Sequence, residues 1–166
     1  MREVFKNLWI CNQNDQIISP YPNPFETEWA AVFAAKEPWH RNELQYTGRA
    51  CDKSHPEYLM AKRGSRLILN LVDAPKAEFF DKRIIDAALN FIGEQLEAGR
   101  KVAVVCNEGR SRSASICLLY LIKHGIIKGD TLDDCEAEFL KVYPEYNPGT
   151  GMRGFVKEHW KSYKNL

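Results

Sequence analysis

A short loop between an apolar run and a helical pattern constrains the fold of this chain more than any other segment. Residues 102–105 are V-A-V-V, residues 106–113 are C-N-E-G-R-S-R-S, and apolar residues recur at helical spacing from 114 to 122. A buried strand that passes through so short a loop into a helix is typical of α/β domains. The pattern predicts a strand, an anion-binding loop and a helix, in that order.

The loop has the pattern Cys-x-x-Gly-x-x-Arg-Ser, which suits a thiol that attacks phosphate. The thiolate is the reactive form of cysteine. Backbone N–H groups and the positive end of the following helix favour the anion of Cys106 and then the phosphate that it attacks. Gly109 permits left-handed backbone angles and a close approach to that anion. The planar guanidinium of Arg112 suits two phosphoryl oxygens, and Ser113 offers a hydroxyl donor near the sulfur.

Composition alone makes this pattern rare in a chain of 166 residues with 5 Cys and 10 Gly. The spacing is expected by chance roughly once in a thousand such chains. The alternative interpretation is a buried structural cysteine on a core strand, beside a solvated arginine-rich turn.

The segment resembles the signature loop of the cysteine-dependent protein tyrosine phosphatases, and most closely that of the dual-specificity phosphatases, His-Cys-x-x-Gly-x-x-Arg-Ser/Thr. The resemblance covers residues 1–11 and 67–166, and is weaker over 12–66. This chain has Val105 where the family has a histidine that orients the loop. Low-molecular-weight tyrosine phosphatases also have an apolar residue there, but their loop lies near the N-terminus. Here 105 residues precede the cysteine, which favours the dual-specificity arrangement.

Length and pattern predict one α/β domain over residues 1–166, with an atypical insertion around 12–66. The expected fold has a central, mostly parallel sheet flanked by helices, because strands alternate with helices along the chain. The predicted strands are 4–11, 66–72 and 101–105, and the predicted helices are 26–35, 81–96, 114–122, 130–143 and 152–163, with a proline-rich loop at 19–25.

Charge and cysteine content narrow the function class. The net charge of +1 gives no case for nucleic acid as a partner, and no apolar run approaches the length of a membrane span. The N-terminus does not resemble a secretory signal. Five cysteines without a C-x-x-C pair favour reduced thiols in the cytoplasm and argue against a zinc site.

The chemistry requires a general acid for the leaving oxygen, typically worth ~10²–10⁴ in rate. Asp73 follows the predicted strand 66–72, so it lies at the same edge of a parallel sheet as Cys106. It precedes Cys106 by 33 residues, close to the separation that the family shows. Asp81 is the alternative acid, and an ordinary strand-end turn residue is the alternative role for Asp73.

The remaining loop residues are predicted to surround the phosphate. Glu108 either braces the loop or the guanidinium of Arg112, or is a solvated charge, and Arg110 faces either substrate or solvent. Ser113 is expected to stabilise the departing thiolate. The predicted substrate-binding residues are Asn107, Glu108, Gly109, Arg110 and Ser111.

Residues 36–66 are polar and irregular in pattern, and we expect substrate specificity to lie there. Trp39, Tyr46 and Tyr58 are candidates for a pocket wall over the loop. The alternative is a surface insertion that closes the edge of the sheet.

These observations favour a phosphatase of phosphotyrosine, and of phosphoserine or phosphothreonine, that forms a phosphocysteine and needs no metal or organic cofactor. Its partner would be a phosphorylated protein or peptide. A phosphoinositide or an RNA 5′ end is the alternative substrate, although the loop lacks lysine and has Ser113 where RNA-end enzymes tend to have threonine. A non-catalytic phosphate-binding domain also stays open. A rhodanese-type sulfur transferase fits the G-x-x-R-S ending less well.

Overall fold

Six strands form one mixed sheet in the computed structural model, which describes residues 1–15 and 28–164. The strand order is β1-β2-β6-β3-β5-β4. The four central strands are parallel to one another, and β1 and β4 run antiparallel at the two edges. The strands are β1 Arg2–Phe5, β2 Leu8–Cys11, β3 Trp29–Phe33, β4 Met60–Arg63, β5 Arg66–Leu69 and β6 Lys101–Val105.

The helices follow the predicted positions closely after residue 80. Asp81 begins α2, where its carboxylate accepts a hydrogen bond from the backbone N–H of Arg83. Thr131 caps α4 in the same way by accepting from the N–H of Asp134. The helices are α1 Arg41–Leu44, α2 Lys82–Glu97, α3 Arg112–Lys123, α4 Leu132–Val142 and α5 Thr150–Lys164, with shorter helical turns at Lys36–His40 and Ala77–Phe79. An α/β domain with a largely parallel sheet is therefore confirmed.

Two predicted elements near the N-terminus are wrong. The single strand predicted at 4–11 is an antiparallel hairpin, β1 and β2, in which Asn7 adopts a left-handed φ of +64° that asparagine tolerates. The helix predicted at 26–35 is β3 over the part that the structure describes. β3 pairs with β6 and β5 along its two edges, and its side chains are buried on both faces of the sheet, so tertiary pairing overrides the helix propensity of Ala30 and Ala31. The proline-rich loop predicted at 19–25 falls outside the described residues.

The segment between β3 and β4 is more ordered than its composition predicts. His40 is fully buried, and its two ring nitrogens lie 2.9 Å from Tyr46 Oη and from the carbonyl oxygen of Glu57. Arg41 donates to the carbonyl oxygens of Tyr46 and Gly48 at 3.1 Å and 2.6 Å. These contacts fold residues 36–58 back onto the sheet.

The sheet divides the buried side chains into two clusters. Val104 and Cys106 point into the larger cluster, which α2, α3, α4 and α5 share with the sheet. Val105 points to the opposite face, into a smaller cluster against which Trp39 and Leu44 pack. All residues of α3 from 113 to 122 are buried, so the helix that follows the cysteine loop is held on every side. No helix within residues 1–15 and 28–164 is long and apolar enough to span a bilayer.

Candidate active site

The loop that contains Cys106 lies at the C-terminal edge of the parallel strands, between β6 and α3. Gly109 has a φ of +74°, and a side-chain Cβ at this position would lie 3.2 Å from the carbonyl oxygen of Cys11 and from Asn12 Cβ. Because both the angle and the space require glycine, the loop packs directly against the end of β2.

The sulfur of Cys106 is held at the start of α3. Its Sγ lies 3.0 Å from Ser113 Oγ, and the backbone N–H of Gly109 donates to it at 3.3 Å. Cys106 is buried, with 2% of its surface exposed. Two short polar contacts and the N-terminus of a twelve-residue helix therefore converge on one sulfur atom, an arrangement that stabilises negative charge.

The guanidinium of Arg112 is fixed on two sides. Nη1 donates to the carbonyl oxygen of Leu71 at 2.9 Å, and Nη2 donates to Asn107 Oδ1 at 2.6 Å. Its Nε is buried and has no hydrogen-bond partner among the described residues. A buried, charged donor without a partner is costly, and an incoming oxyanion would supply the missing acceptor.

Asn107 uses its side chain within the protein. Besides accepting from Arg112, it donates through Nδ2 to Gln13 Oε1 at 3.1 Å and to the carbonyl oxygen of Glu37 at 2.9 Å. The structure therefore gives this predicted substrate-binding side chain the role of connecting the segments at Gln13 and Glu37 to the arginine.

Glu108 and Arg110 form an ion pair at the rim of the loop. The hydrogen bond and charge of Glu108 raise the pKa of Arg110 above its ordinary value. Arg110 also donates through Nη1 to the carbonyl oxygen of Asn147 at 2.6 Å. Glu108 was predicted to brace either the loop or the guanidinium of Arg112. In the structure it contacts Arg110 of the loop, and the guanidinium of Arg112 is held by Asn107 and by the carbonyl oxygen of Leu71.

The two candidate acids have different surroundings. Asp81 is the N-cap residue of α2. Its carboxylate accepts a hydrogen bond from the backbone N–H of Arg83 at 2.9 Å and pairs with the Arg83 guanidinium at 2.7 Å. These hydrogen bonds lower the pKa of Asp81, which makes it a poor proton donor. Asp73 is half-buried, and its Oδ1 has no hydrogen-bond partner among the described residues. The geometry favours Asp73.

Residues 143–149, to which our sequence interpretation gave no role in the site, are hydrogen-bonded to the cysteine loop. Tyr143 Oη donates to the carbonyl oxygen of Gly109 at 2.5 Å. The backbone N–H groups of Asn147 and Gly149 donate to the Arg110 carbonyl oxygen and to Ser111 Oγ, both at 2.9 Å. The pattern Y-P-E-Y-N-P-G at 143–149 indicates a turn between two helices. Nothing local in it indicates which loop it contacts.

The three aromatic residues predicted as a pocket wall separate into different environments. Trp39 packs on Phe33 with their ring centroids 5.3 Å apart, and the hydroxyl of Tyr46 is hydrogen-bonded to His40. Tyr58 lines a groove of about 290 Å³ beside the Asp73 loop, together with Lys36, Ala50, Leu59, Asn70, Leu71, Val72, Phe79, Asp81 and Ile84. Of the three, only Tyr58 lines this groove, whereas Trp39 packs on Phe33 of β3 and Tyr46 on His40, so a common wall over the cysteine loop stays a prediction.

Comparison with solved structures shows that the fold is shared. A human tyrosine phosphatase-like serine/threonine/tyrosine-interacting protein matches with a TM-score of 0.66 and 21% identity, over 98% of this chain and 97% of that chain. PTPMT1, solved in complex with PI(5)P, matches with a TM-score of 0.55 and 20% identity, over 84% of this chain and 81% of that chain.

Sequence comparison adds family membership to the shared fold. Dual specificity protein phosphatase PHS1 of Arabidopsis thaliana is 39% identical over 69 residues, which are 42% of this chain and 7% of that protein. The chain thus corresponds to a small part of that relative. The sequence model described as "Dual specificity phosphatase, catalytic domain" matches residues 51–135, just over half of the chain, and the match includes Asp73, Cys106 and Arg112. The resemblance inferred from the loop is confirmed, and the chain belongs to the dual specificity phosphatase family.

Proposed function

We propose that this chain hydrolyses phosphotyrosine, and also phosphoserine or phosphothreonine, in proteins through a phosphocysteine intermediate. The observation that carries the proposal is the pair of polar contacts on the sulfur, from Ser113 at 3.0 Å and from the N–H of Gly109 at 3.3 Å, beside the unpartnered Nε of Arg112. A nucleophile and an oxyanion-binding group then share one site.

In the first step the thiolate of Cys106 attacks phosphorus, and the bond from phosphorus to the ester oxygen breaks. Asp73 transfers its proton to that oxygen, which leaves as a neutral hydroxyl group. Arg112 and the backbone N–H groups of the loop bind the remaining phosphoryl oxygens, whose charge is best stabilised in the transition state.

In the second step water attacks the phosphocysteine, and the carboxylate of Asp73 accepts a proton from that water. The bond from phosphorus to sulfur breaks, and its electron pair returns to Cys106. The hydroxyl of Ser113 can donate to the sulfur as its charge reappears. Phosphate is released, and the enzyme regains its starting protonation state without a metal or an organic cofactor.

All five cysteines are free in the structure, which supports a reducing compartment and hence the cytoplasm. A phosphorylated protein or peptide is the proposed partner. A phosphoinositide is the second candidate substrate, because a protein of the same fold was solved with PI(5)P bound. The absence of lysine from residues 106–113 favours protein substrates over that candidate.

The test is hydrolysis of para-nitrophenyl phosphate, phosphotyrosyl and phosphoseryl peptides, and PI(5)P, all in the presence of a metal chelator. We expect wild type to hydrolyse the aryl phosphate and the phosphotyrosyl peptide, and Cys106→Ser to be inactive. Cys51→Ser is the matched control and should stay active, since Cys51 lies outside the loop. Mass spectrometry of acid-quenched enzyme should show one phosphoryl group on the peptide that contains Cys106.

Several outcomes would contradict the proposal. Preference for PI(5)P over both peptides would assign the lipid as substrate. Vanadate binding without turnover of any substrate would make the chain a phosphate-binding domain. Full activity of Asp73→Asn would remove Asp73 from the mechanism, and loss of activity in Asp81→Asn instead would assign the proton transfer to Asp81.

A further inference from the structure

Two glycines at the start of α5 lie directly against the loop that contains Asp73. A Cβ at Gly149 would lie 3.0 Å from Asp73 Oδ1 and 3.4 Å from Oδ2. A Cβ at Gly151 would lie 2.1 Å from the carbonyl oxygen of Ala74 and 2.7 Å from the backbone nitrogen of Lys76. The first turn of α5 can therefore lie this close to the backbone of residues 74–76 only because Gly151 has no side chain, and the absence of a side chain at Gly149 leaves room for the carboxyl group of Asp73.

The same turn is fixed to the cysteine loop. Gly149 donates its N–H to Ser111 Oγ at 2.9 Å, and Asn147 exchanges hydrogen bonds with Arg110, from Asn147 N at 2.9 Å and from Arg110 Nη1 at 2.6 Å. The backbone N–H of Gly149 is thus hydrogen-bonded to the loop that would hold phosphate, and the direction in which its Cβ would point leads to the carboxyl group of Asp73.

Hydrogen bonding does not locate Oδ1 of Asp73, since this atom is buried and has no partner among the described residues. The space beside Gly149, which a Cβ would narrow to 3.0 Å from Oδ1, is the constraint that remains on this side of the carboxyl group. We propose that Gly149 is a positioning residue, which sets the distance between the carboxyl group of Asp73 and the cysteine loop. This inference rests on the proposed function, because it takes Asp73 to be the proton donor.

The two glycines differ in what a methyl group would displace. At Gly149 it meets the end of a side chain, which can rotate away, so Gly149→Ala should fold normally while moving the carboxyl group. At Gly151 it meets backbone atoms, so Gly151→Ala should lower the melting temperature. This contrast separates a positioning effect on Asp73 from a general loss of packing between α5 and residues 73–76.

The leaving group supplies the decisive readout, because a displaced proton donor slows the expulsion of a poor leaving group more than that of a good one. We would measure kcat/KM with phenyl phosphate, which has a basic leaving group, and with difluoromethylumbelliferyl phosphate, which has an acidic one. In Gly149→Ala, kcat/KM should fall about tenfold or more with phenyl phosphate and much less with difluoromethylumbelliferyl phosphate. Asp73→Asn should show the same pattern more strongly. Vanadate affinity should not change.

Two further variants complete the design. The double variant of Gly149→Ala and Asp73→Asn should be no slower than Asp73→Asn alone, because both changes remove the same proton transfer. Gly93→Ala is the matched control on α2, where a Cβ would meet nothing closer than 4.0 Å, and it should change neither rate. Should Gly149→Ala fail to fold, the positioning role is wrong, because Gly149 would then be required for packing, as Gly151 is.

The outcomes separate this inference from the proposed function. If Asp73→Asn shows the leaving-group pattern and Gly149→Ala does not, the positioning role is wrong and the mechanism stands. If Gly149→Ala slows both substrates equally and weakens vanadate binding, the substitution has damaged the cysteine loop, and the positioning role is again wrong. If Asp73→Asn shows no leaving-group pattern, the proposed acid itself is wrong.

Discussion

Asn107 Oδ1 accepts a 2.6 Å hydrogen bond from Nη2 of Arg112. Through its other amide atom, Asn107 also contacts Gln13 and Glu37, so the arginine is connected to two segments far away in sequence. The carbonyl oxygen of Leu71 holds Nη1 from a third segment. The guanidinium is therefore oriented before substrate arrives, which is the arrangement that electrostatic catalysis requires.

Replacing Asn107 with alanine should weaken oxyanion binding. The change removes the acceptor of a charge-assisted hydrogen bond, and such bonds contribute about 1.5–3 kcal/mol. We therefore expect kcat/KM for para-nitrophenyl phosphate and the affinity for vanadate each to fall roughly tenfold or more. Asn42→Ala, at an exposed position of α1, is the control. Unchanged vanadate affinity in Asn107→Ala would show that Arg112 is held without this amide.

Ser113→Ala should slow the second chemical step more than the first. The hydroxyl lies 3.0 Å from the sulfur that must leave as a thiolate, and loss of one such donor costs about 10²–10³ in rate. Rapid mixing should then show a burst of nitrophenol followed by slow turnover, with phosphoenzyme accumulating. Ser162→Ala, at an exposed position of α5, should behave as wild type. Turnover without a burst in Ser113→Ala would contradict this assignment.

Tyr143→Phe should destabilise the cysteine loop. It leaves the carbonyl oxygen of Gly109 without its 2.5 Å donor, and an unsatisfied buried acceptor costs about 1–3 kcal/mol. For a domain of this size the melting temperature should fall by about 2–12 °C. Burial raises the pKa of Tyr143 well above its ordinary value, so the hydroxyl stays protonated and the loss should not vary with pH. Tyr120→Phe is the control, and a melting temperature equal to wild type in Tyr143→Phe would contradict the prediction.

His40 should make the fold sensitive to acid. The carbonyl oxygen of Glu57 can only accept, so Nε2 donates to it and Nδ1 accepts from Tyr46 Oη, which satisfies the neutral ring. Burial lowers the pKa of His40 below 6.5, and the charges of Lys36 and His55 act in the same direction, whereas the charge of Glu57 and the hydrogen bond to its carbonyl oppose it. The unfolded chain then binds a proton first, so stability is complete above about pH 6.5 and decreases below it.

The measurement is the melting temperature at about pH 7.5 and about pH 5 for wild type, His40→Gln and His55→Gln. The difference between the melting temperatures at the two pH values should be smaller in His40→Gln than in wild type, whatever the absolute stability of the variant. His55→Gln should change that difference in melting temperature far less, because burial is the largest cause of the lowered pKa of His40 and the charge of His55 is a smaller one. An unchanged difference in His40→Gln would place the acid sensitivity elsewhere.

Local chemistry decided which parts of the structure were predictable. The cysteine loop, α2, α3, α4 and α5 follow from caps, apolar periodicity and glycines, all of which act within a few residues. The location of Asp73 was predictable because residues that come shortly after a parallel strand lie at the C-terminal edge of the sheet, whereas its role as the acid stays a prediction. The environment of Asp81, fixed by Arg83 two residues away, could have been inferred from its position as a helix cap.

Features that depend on distant partners were not predictable. β3 contains a stretch, W-A-A-V-F, that a helix would accept equally well, and only pairing with β6 and β5 makes it a strand. The hydrogen bond from Tyr143 to Gly109 joins residues that are 34 positions apart in the sequence, and Gly149 and Asp73 are farther apart still. No spacing rule connects such residues, since the turn that contains them is recognisable only as a turn.

The alternation of side chains along β6 gives the residue before the cysteine a different neighbourhood from the cysteine itself. Cys106 belongs to the helical side of the sheet, and Val105 belongs to the side covered by Trp39 and Leu44. A histidine at position 105 would need hydrogen-bond partners from that apolar cover. Val105 and the apolar cover from Trp39 and Leu44 are thus a matched pair. A designer who restores the histidine must also redesign the side chains that cover this face of the sheet.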